Sequence, residues 1–250
     1  MAGGDGPPAR QQHALAYDSK RGMTVLFGGR TQNGYLNDTW EFDGSNWQQV
    51  FTQIAPQPRA GHSMAYDSQR GVVVLWGGFA DIDLSDTWEY NGAMWRPVSA
   101  AVAPPARAPA ALAYDRARGV AVLFGGVSGG GGILGTQPGT LLADTWEYDG
   151  NNWAQPALLD LITPSARRLP TMVFDRLRGV MVMFGGETTL GRLDDETWEY
   201  NGRRWRRILS TLTTNPAARK GPAMSYHQAR GASVLFGGGA SGGLLDDTWF

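Results

Sequence analysis

The sequence predicts an all-β protein assembled from one repeated motif, and three observations carry that expectation. The phrase "NDTWEFDGSNW", Asn37 to Trp47, returns as "SDTWEYNGAMW", "ADTWEYDGNNW" and "DETWEYNGRRW", and in part as "DDTWF". Paired glycines recur at Gly28-Gly29, Gly77-Gly78, Gly125-Gly126, Gly185-Gly186 and Gly237-Gly238, at spacings of 49, 48, 60 and 52 residues. The 250 residues include 35 glycines and 10 tryptophans, turn-makers beside large apolar side chains, a mixture that suits short strands better than helices. Self-similarity at such a period marks a repeat architecture.

Each repeat reads as four strands. In the first, "QHALAYD" and "GMTVLFGG" are separated by "DSKRG", whose Asp and Gly supply a side-chain-capped turn and a positive-φ position. The second strand is almost wholly apolar, as a strand covered on both faces should be. "DTWEF" alternates, with Trp40 and Phe42 on one face and Glu41 on the other; Asp43-Gly44 then gives a tight hairpin turn before "SNWQQV". The expected unit is a four-stranded antiparallel meander.

A formal net charge of -1 and a pI near 6.3 give no global pull toward nucleic acid or an anionic membrane, and neither partner is expected. With no cysteine, disulfides, thiolate nucleophiles and cysteine-ligated metals are excluded. The start "MAGGDGPPAR" lacks the basic and apolar regions of a secretory signal, and no run approaches about 18 apolar residues. Localisation is left unassigned.

The diglycine, the aromatic of the third strand and the spaced second Trp resemble the kelch repeat, in wording closest to bacterial kelch-type proteins. The resemblance covers residues 10 to 250. It implies a β-propeller of four-stranded blades around a central channel, the first strand of each blade innermost. The expected fold class is thus an all-β propeller with five blades, the fifth lacking its outer strand. Residues 1–9 form a linker-like segment, and 10–250 a single domain with repeats at about 10–58, 59–106, 107–166, 167–218 and 219–250.

Side chains repeated in every blade are expected to be scaffold. Trp40, Trp88, Trp146, Trp198 and Trp249 on third strands, with Trp47, Trp95, Trp153 and Trp205 on fourth strands, read as packing rather than a carbohydrate ladder. The paired glycines read as close backbone approach, since no phosphate-loop context accompanies them. The Arg opening each repeat (Arg10, Arg59, Arg107, Arg167, Arg219) is expected to pair with the acid before each "TW" (Asp38, Asp86, Asp144, Glu196, Asp247) rather than to line an anion-binding ring.

Function is then sought on the unrepeated loops, which share one face of a meander. After the opening Arg the repeats read "QQH", "AGH", "APA", "RLP" and "KGP", which nominates Gln12, His13, His62, Arg168 and Lys220 as ligand contacts near the channel mouth. The loops between second and third strands add Arg30, Tyr35 and Arg192. No metal site is assigned, although Asp81, Asp83 and Asp86 form a small acidic cluster without the spacing of a calcium loop. The third such loop holds 17 residues between Gly126 and Asp144 against seven to nine elsewhere, and reads as a rim flap or simple slack. "RRWRR", Arg203 to Arg207, falls on an outer strand, where charge discourages edge pairing.

The resemblance divides between interaction modules and a minority of enzymes. Copper-radical oxidase chemistry of the galactose-oxidase kind needs a cysteine that is absent. The leading reading is a non-catalytic recognition or scaffold module, without a cofactor, that binds a protein, peptide or glycan on its variable face. One alternative is an isomerase or lyase using His13 or His62 as proton carrier; another is an engineered propeller fragment. "GPPAR" near the start matches the interblade linkers "APQPR" and "APPAR", so the piece is read as part of a larger propeller, able to self-associate through its incomplete fifth blade.

Overall fold

The computed structural model describes residues 6–129, 139–160, 162–209 and 215–250. The fold is all-β, of the β-propeller class with five blades, as the sequence predicts, and the helical content among the described residues is two single 3-10 turns. Most of the long third loop lies outside the described residues. The chain forms two compact units: Met1–Pro109 with Ser128–Thr140 and Asp149–Trp153, and Ala110–Val127 with Leu141–Tyr148 and Ala154–Phe250.

In the first unit, blade one is the antiparallel meander β1 (Ala14–Asp18), β2 (Met23–Thr31), β3 (Gly34–Phe42) and β4 (Trp47–Val50). Blade two repeats it as β5 (Ser63–Asp67), β6 (Val72–Trp76), β7 (Thr87–Tyr90) and β8 (Trp95–Val98). The register is equivalent in both, with Leu26 opposite Trp40 and Leu75 opposite Trp88. The second strands are buried along most of their length, Val25 to Phe27 and Val73 to Trp76, as their continuous apolar sequence requires.

The second unit holds β9 (Ala111–Asp115), β10 (Val120–Phe124) and β13 (Thr145–Tyr148) of blade three, whose loop carries the short β11 (Val127–Ser128) and β12 (Thr140–Leu141). Its fourth strand, β14 (Trp153–Ala154), spans the boundary of the two units. Blade four is β15 (Thr171–Asp175), β16 (Val180–Phe184), β17 (Thr197–Tyr200) and β18 (Trp205–Ile208). Blade five has three strands, β19 (Ala223–His227), β20 (Ala232–Phe236) and β23 (Thr248–Trp249), with a small hairpin of β21 (Gly239–Ala240) and β22 (Gly243–Leu244) in its loop.

One contact joins successive blades and is made three times. The indole of Trp95 donates to Thr39 Oγ1 at 2.9 Å and packs edge-on to Phe27 at 5.0 Å. Trp153 does the same with Thr87, at 2.9 Å, and Trp76, at 5.9 Å. Trp205 repeats it with Thr145, at 2.9 Å, and Phe124, at 5.1 Å. Each of these three tryptophans therefore fills a socket on the preceding blade, and burying its ring stabilises by about 2–3 kcal/mol.

Among the third-strand tryptophans Trp198 is buried in the core, as the sequence predicts, and three others combine partial burial with a further role. Trp40, Trp88 and Trp146 are half-buried, and each indole donates to the acid two places before it, as in Trp40 to Asp38 at 2.6 Å. That acid also takes the opening Arg: Arg59 is fully buried and pairs with both oxygens of Asp86 at 2.7 Å, and Arg219 pairs with Asp247 in the same way. The expected pairing of Arg with acid is thus built as a Trp–acid–Arg clamp. A charged guanidinium is tolerated at zero exposure because its donors are also met by carbonyls such as Gly77 O.

On the opposite turns the Arg of "YDxxRG" closes a second network. Arg21 binds Asp18 at 2.6 Å and Glu41 at 2.7 Å, and Tyr90 of the next blade donates to the same Glu41 at 2.9 Å. Arg178 bridges Asp175 and Glu199 likewise. In blade five the pattern changes, for His227 stands in the Asp place and Phe250 in the Glu place. His227 Nδ1 still accepts from Arg230 N at 3.2 Å, and the Arg230 guanidinium lies 4.3 Å from the Phe250 ring.

Candidate functional site

The loops that lead into first strands are fixed by the paired glycines. A Cβ on Gly29 would stand 2.9 Å from Gln11 O, so only glycine, here at φ 96°, lets the two segments approach. The approach brings the residue after the opening Arg beside the residue after the diglycine. Bridges of this kind join Gln11 to Arg30, Ala60 to Phe79, Arg168 to Glu187 and Lys220 to Gly239.

The next residue takes left-handed backbone, at φ 58° for Gln12, 61° for Gly61, 56° for Leu169 and 59° for Gly221. Glycine holds this conformation without cost, whereas Gln12 and Leu169 hold it under strain, a feature that concentrates at functional positions. Gln12 O accepts from Gly61 N, and Leu169 O from Gly221 N, both at 2.9 Å.

In the first unit these loops gather a neutral polar group. His62 is 6% exposed, its ring edge-on to Phe27 at 5.5 Å. Burial, assisted by the Arg59 charge, pushes its pKa down to about 3 against an opposing backbone hydrogen bond with Phe27; the ring is neutral at ordinary pH. His13 holds the equivalent place in blade one and is half-buried, its pKa lowered by burial and by Arg10. Buried Gln12 Oε1 and His13 Nδ1 lack partners. Gln12 and His13 thus carry unsatisfied polar atoms where the repeat pattern is broken.

Arg30 is held by Gln11, whose amide oxygen accepts from Nε and Nη2 at 3.1 Å. Tyr35 packs edge-on to buried Phe79 at 5.8 Å, so its ring braces the loop as well as reaching the surface. Asp86 is engaged by Arg59, and Asp83 accepts from Gly129 N at 2.9 Å. Among the described residues no cluster of three His, Asp or Glu is placed to hold a metal ion.

The second unit carries an ionic counterpart. Glu187, 6% exposed, takes Arg168 Nη2 on one oxygen and Lys220 Nζ on the other, both at 2.5 Å. Burial opposes its charge, but the hydrogen bonds from Lys220 and Arg168 outweigh that and hold its pKa below the usual range. Sequence reasoning named the two cations and missed the acid between them. Arg192 lies elsewhere, on an open cleft of about 570 Å³ with Thr163, Ser165, Thr188, Asp194 and Trp198. The nominated residues therefore divide into Gln12, His13 and His62, the pair Arg168 and Lys220, and the separate Arg30, Tyr35 and Arg192.

No helix of the described residues is long and apolar enough to cross a membrane, which leaves β-barrel spans unaddressed. No protein-family model matches the chain. Over 122 residues, 46% of the chain, it is 33% identical to the tRNA wybutosine-synthesizing protein 4 of Emericella nidulans. That stretch is 11% of the fungal protein, so the chain matches a small part of a much longer one.

Proposed function

We propose that the chain is a kelch-type recognition or scaffold module that binds a protein, peptide or glycan through the loops leading into its first strands and those between second and third strands. The observation that carries this reading is the pair of unpartnered polar atoms Gln12 Oε1 and His13 Nδ1, at loop positions where the otherwise repeated sequence changes. Unmet donors and acceptors at a surface loop are what a polar ligand satisfies, and the propeller fold supplies a rigid frame for them. His62 organises this corner from within, and Gln12 and His13 make the contacts. Arg30 and Tyr35 widen this recognition surface, and in the second unit Arg168, Lys220 and Arg192 are candidates for contacts of their own.

Selection against peptide and glycan arrays, followed by calorimetry on the winning ligand, tests the reading. Gln12→Ala with His13→Ala is expected to weaken binding at least tenfold, and Asn46→Ala with Arg116→Ala, on the opposite turns, to leave it unchanged. The reverse pattern would sink the proposal. A second reading is an isomerase or lyase with His13 as proton carrier, favoured by the unpartnered Nδ1 of a half-buried ring. Turnover abolished by His13→Gln with ligand affinity retained would select it. The matched stretch in a tRNA-modifying protein further supports a scaffold role beside such an activity, with the tRNA contacted by other parts, since a net charge of -1 offers little attraction to a polyanion.

A further inference from the structure

Three departures from the repeat, one in the linker that opens blade four and two at the end of its loop between second and third strands, meet at one cleft. The carbonyl two places before each opening Arg accepts from its Nε; Pro8, Gln57, Pro105 and Ala217 hold that place elsewhere, and Ser165 holds it here. The residue whose N–H donates to the carbonyl of the second paired glycine is Leu84, Leu142 and Leu245 in blades two, three and five, and Asp194 in blade four. The acid of the clamp is Asp38, Asp86, Asp144 and Asp247 in the other blades, and Glu196 in this one. What blade packing demands is the same in every copy, so departures that converge in space mark a place shaped by something other than packing.

Together the three line the open cleft of about 570 Å³ inside the second unit and loosen its clamp. Arg167, at zero exposure, meets Asp194 Oδ2 at 3.2 Å, Glu196 Oε2 at 3.3 Å and Ser165 Oγ at 3.0 Å, where Arg59 grips Asp86 twice at 2.7 Å. Arg207 Nε reaches the other oxygen of Glu196 at 3.1 Å. Two acids are thus offset by two bases, and their oxygens keep lone pairs for further donors. Ser165 Oγ accepts from Arg167, which leaves its own proton to donate. The remaining charge is Arg192, whose guanidinium has no partner among the described residues. Thr163 and Thr189 add hydroxyls, and Trp198 is the one apolar side chain of the lining. A pocket lined by hydrocarbon takes an apolar ligand. A cleft of hydroxyls and carboxylates with one spare guanidinium suits a polyol that carries negative charge. We infer that this cleft binds a saccharide bearing a carboxylate, a hexuronate, with the carboxylate on Arg192 and ring hydroxyls on Asp194 and Ser165. The inference rests on the reading of the chain as a recognition module and gives the second unit a ligand class of its own.

The test is calorimetry of the whole chain with digalacturonate and with its dimethyl ester, which keeps the hydroxyls and loses the charge. The acid is expected to bind about tenfold tighter than the ester, the worth of one charge-assisted contact, and Arg192→Gln should erase that difference. Asp194→Leu with Glu196→Asp rebuilds the clamp in the form of blade two, so circular dichroism should show it folded, and binding of both compounds should be lost. Equal affinity for acid and ester, binding unchanged in the rebuilt variant, or no binding of either compound overturns the inference. Acetate bound as tightly as digalacturonate shows an anion contact alone and overturns it too. Binding that survives in the rebuilt variant and disappears in Gln12→Ala with His13→Ala moves the saccharide to the first unit, which overturns this inference and upholds the recognition reading.

Discussion

The corner of Gln12, His13 and His62 and the corner of Arg168, Glu187 and Lys220 are built on the same kinds of loop in different blades, at neighbouring rather than equivalent positions, and their electrostatics are opposed. The first is neutral and leaves polar atoms unmet. The second is charged and meets its own needs, with one acid shared by two bases. The frame beneath them is the same clamp of Trp, acid and buried Arg. The contrast teaches that the repeat fixes the loops, while the varied residues one to three places after the opening Arg, and the residue after the diglycine, decide whether a corner offers bonds to a ligand or spends them internally.

Placing a charge in the neutral corner should break the contrast most severely. His62→Lys buries an ammonium beside Arg59 with no acid free to meet it, and a loss of about 3–5 kcal/mol is expected at pH 7 from urea unfolding. An unfolding free energy within 1 kcal/mol of the parent, to about the precision of the method, would show that the corner is wetter than its burial indicates.

The wild-type ring should show a smaller effect through pH. Its folded pKa, about 3, lies below the unfolded value of 6.5, so the unfolded chain binds the extra proton. Stability from this group is full above pH 6.5 and falls as pH drops toward 3. The loss between pH 7 and 5 is about 2 kcal/mol, and His62→Phe should abolish it while keeping the edge-on contact with Phe27. Parallel pH profiles for the two proteins would contradict the assignment.

In the ionic corner, Glu187→Gln leaves two cations facing each other and should cost about 1–2 kcal/mol at pH 7, less than a fully buried pair because both cations reach solvent. The parent carboxyl has a lowered pKa, so its contribution is present above the unfolded value of 4.5 and disappears as pH falls through the folded one. The variant's profile should lack that acid limb. The smallest change is Gln12→Gly, which removes the strain of a left-handed glutamine and should stabilise by about 0.5–1 kcal/mol in thermal unfolding. If stability falls instead, the Gln12 side chain is held by contacts that outweigh its backbone.

The frame was legible because repetition filters out everything a single blade could leave to chance. Strand positions, the Asp43-Gly44 turn and the Arg–acid pairs all follow from residues that recur from copy to copy. Less legible was what repeated residues do when two strands meet. Glu41 reads as the polar face of an alternating strand, yet it receives Arg21 from one turn and Tyr90 from the next blade, contacts that no local pattern encodes. Glu187 escaped notice because it lies in a variable loop. Its position directly after the diglycine was the available signal, since that place pairs with the residue following the opening Arg. The depth of His62 was hidden for a related reason: Phe27, against which it packs, comes from another blade.

The repeated Trp-to-Thr contact also sets an order in time. Each socket lies 56, 66 or 60 residues ahead of the indole that fills it. At synthesis rates of about 5–20 residues per second, a blade emerging from the ribosome waits roughly 3–13 seconds for its successor's tryptophan. Through that interval its Phe27, Trp76 or Phe124 surface is open to any apolar partner. Assembly is therefore directional, each blade sealed by the next.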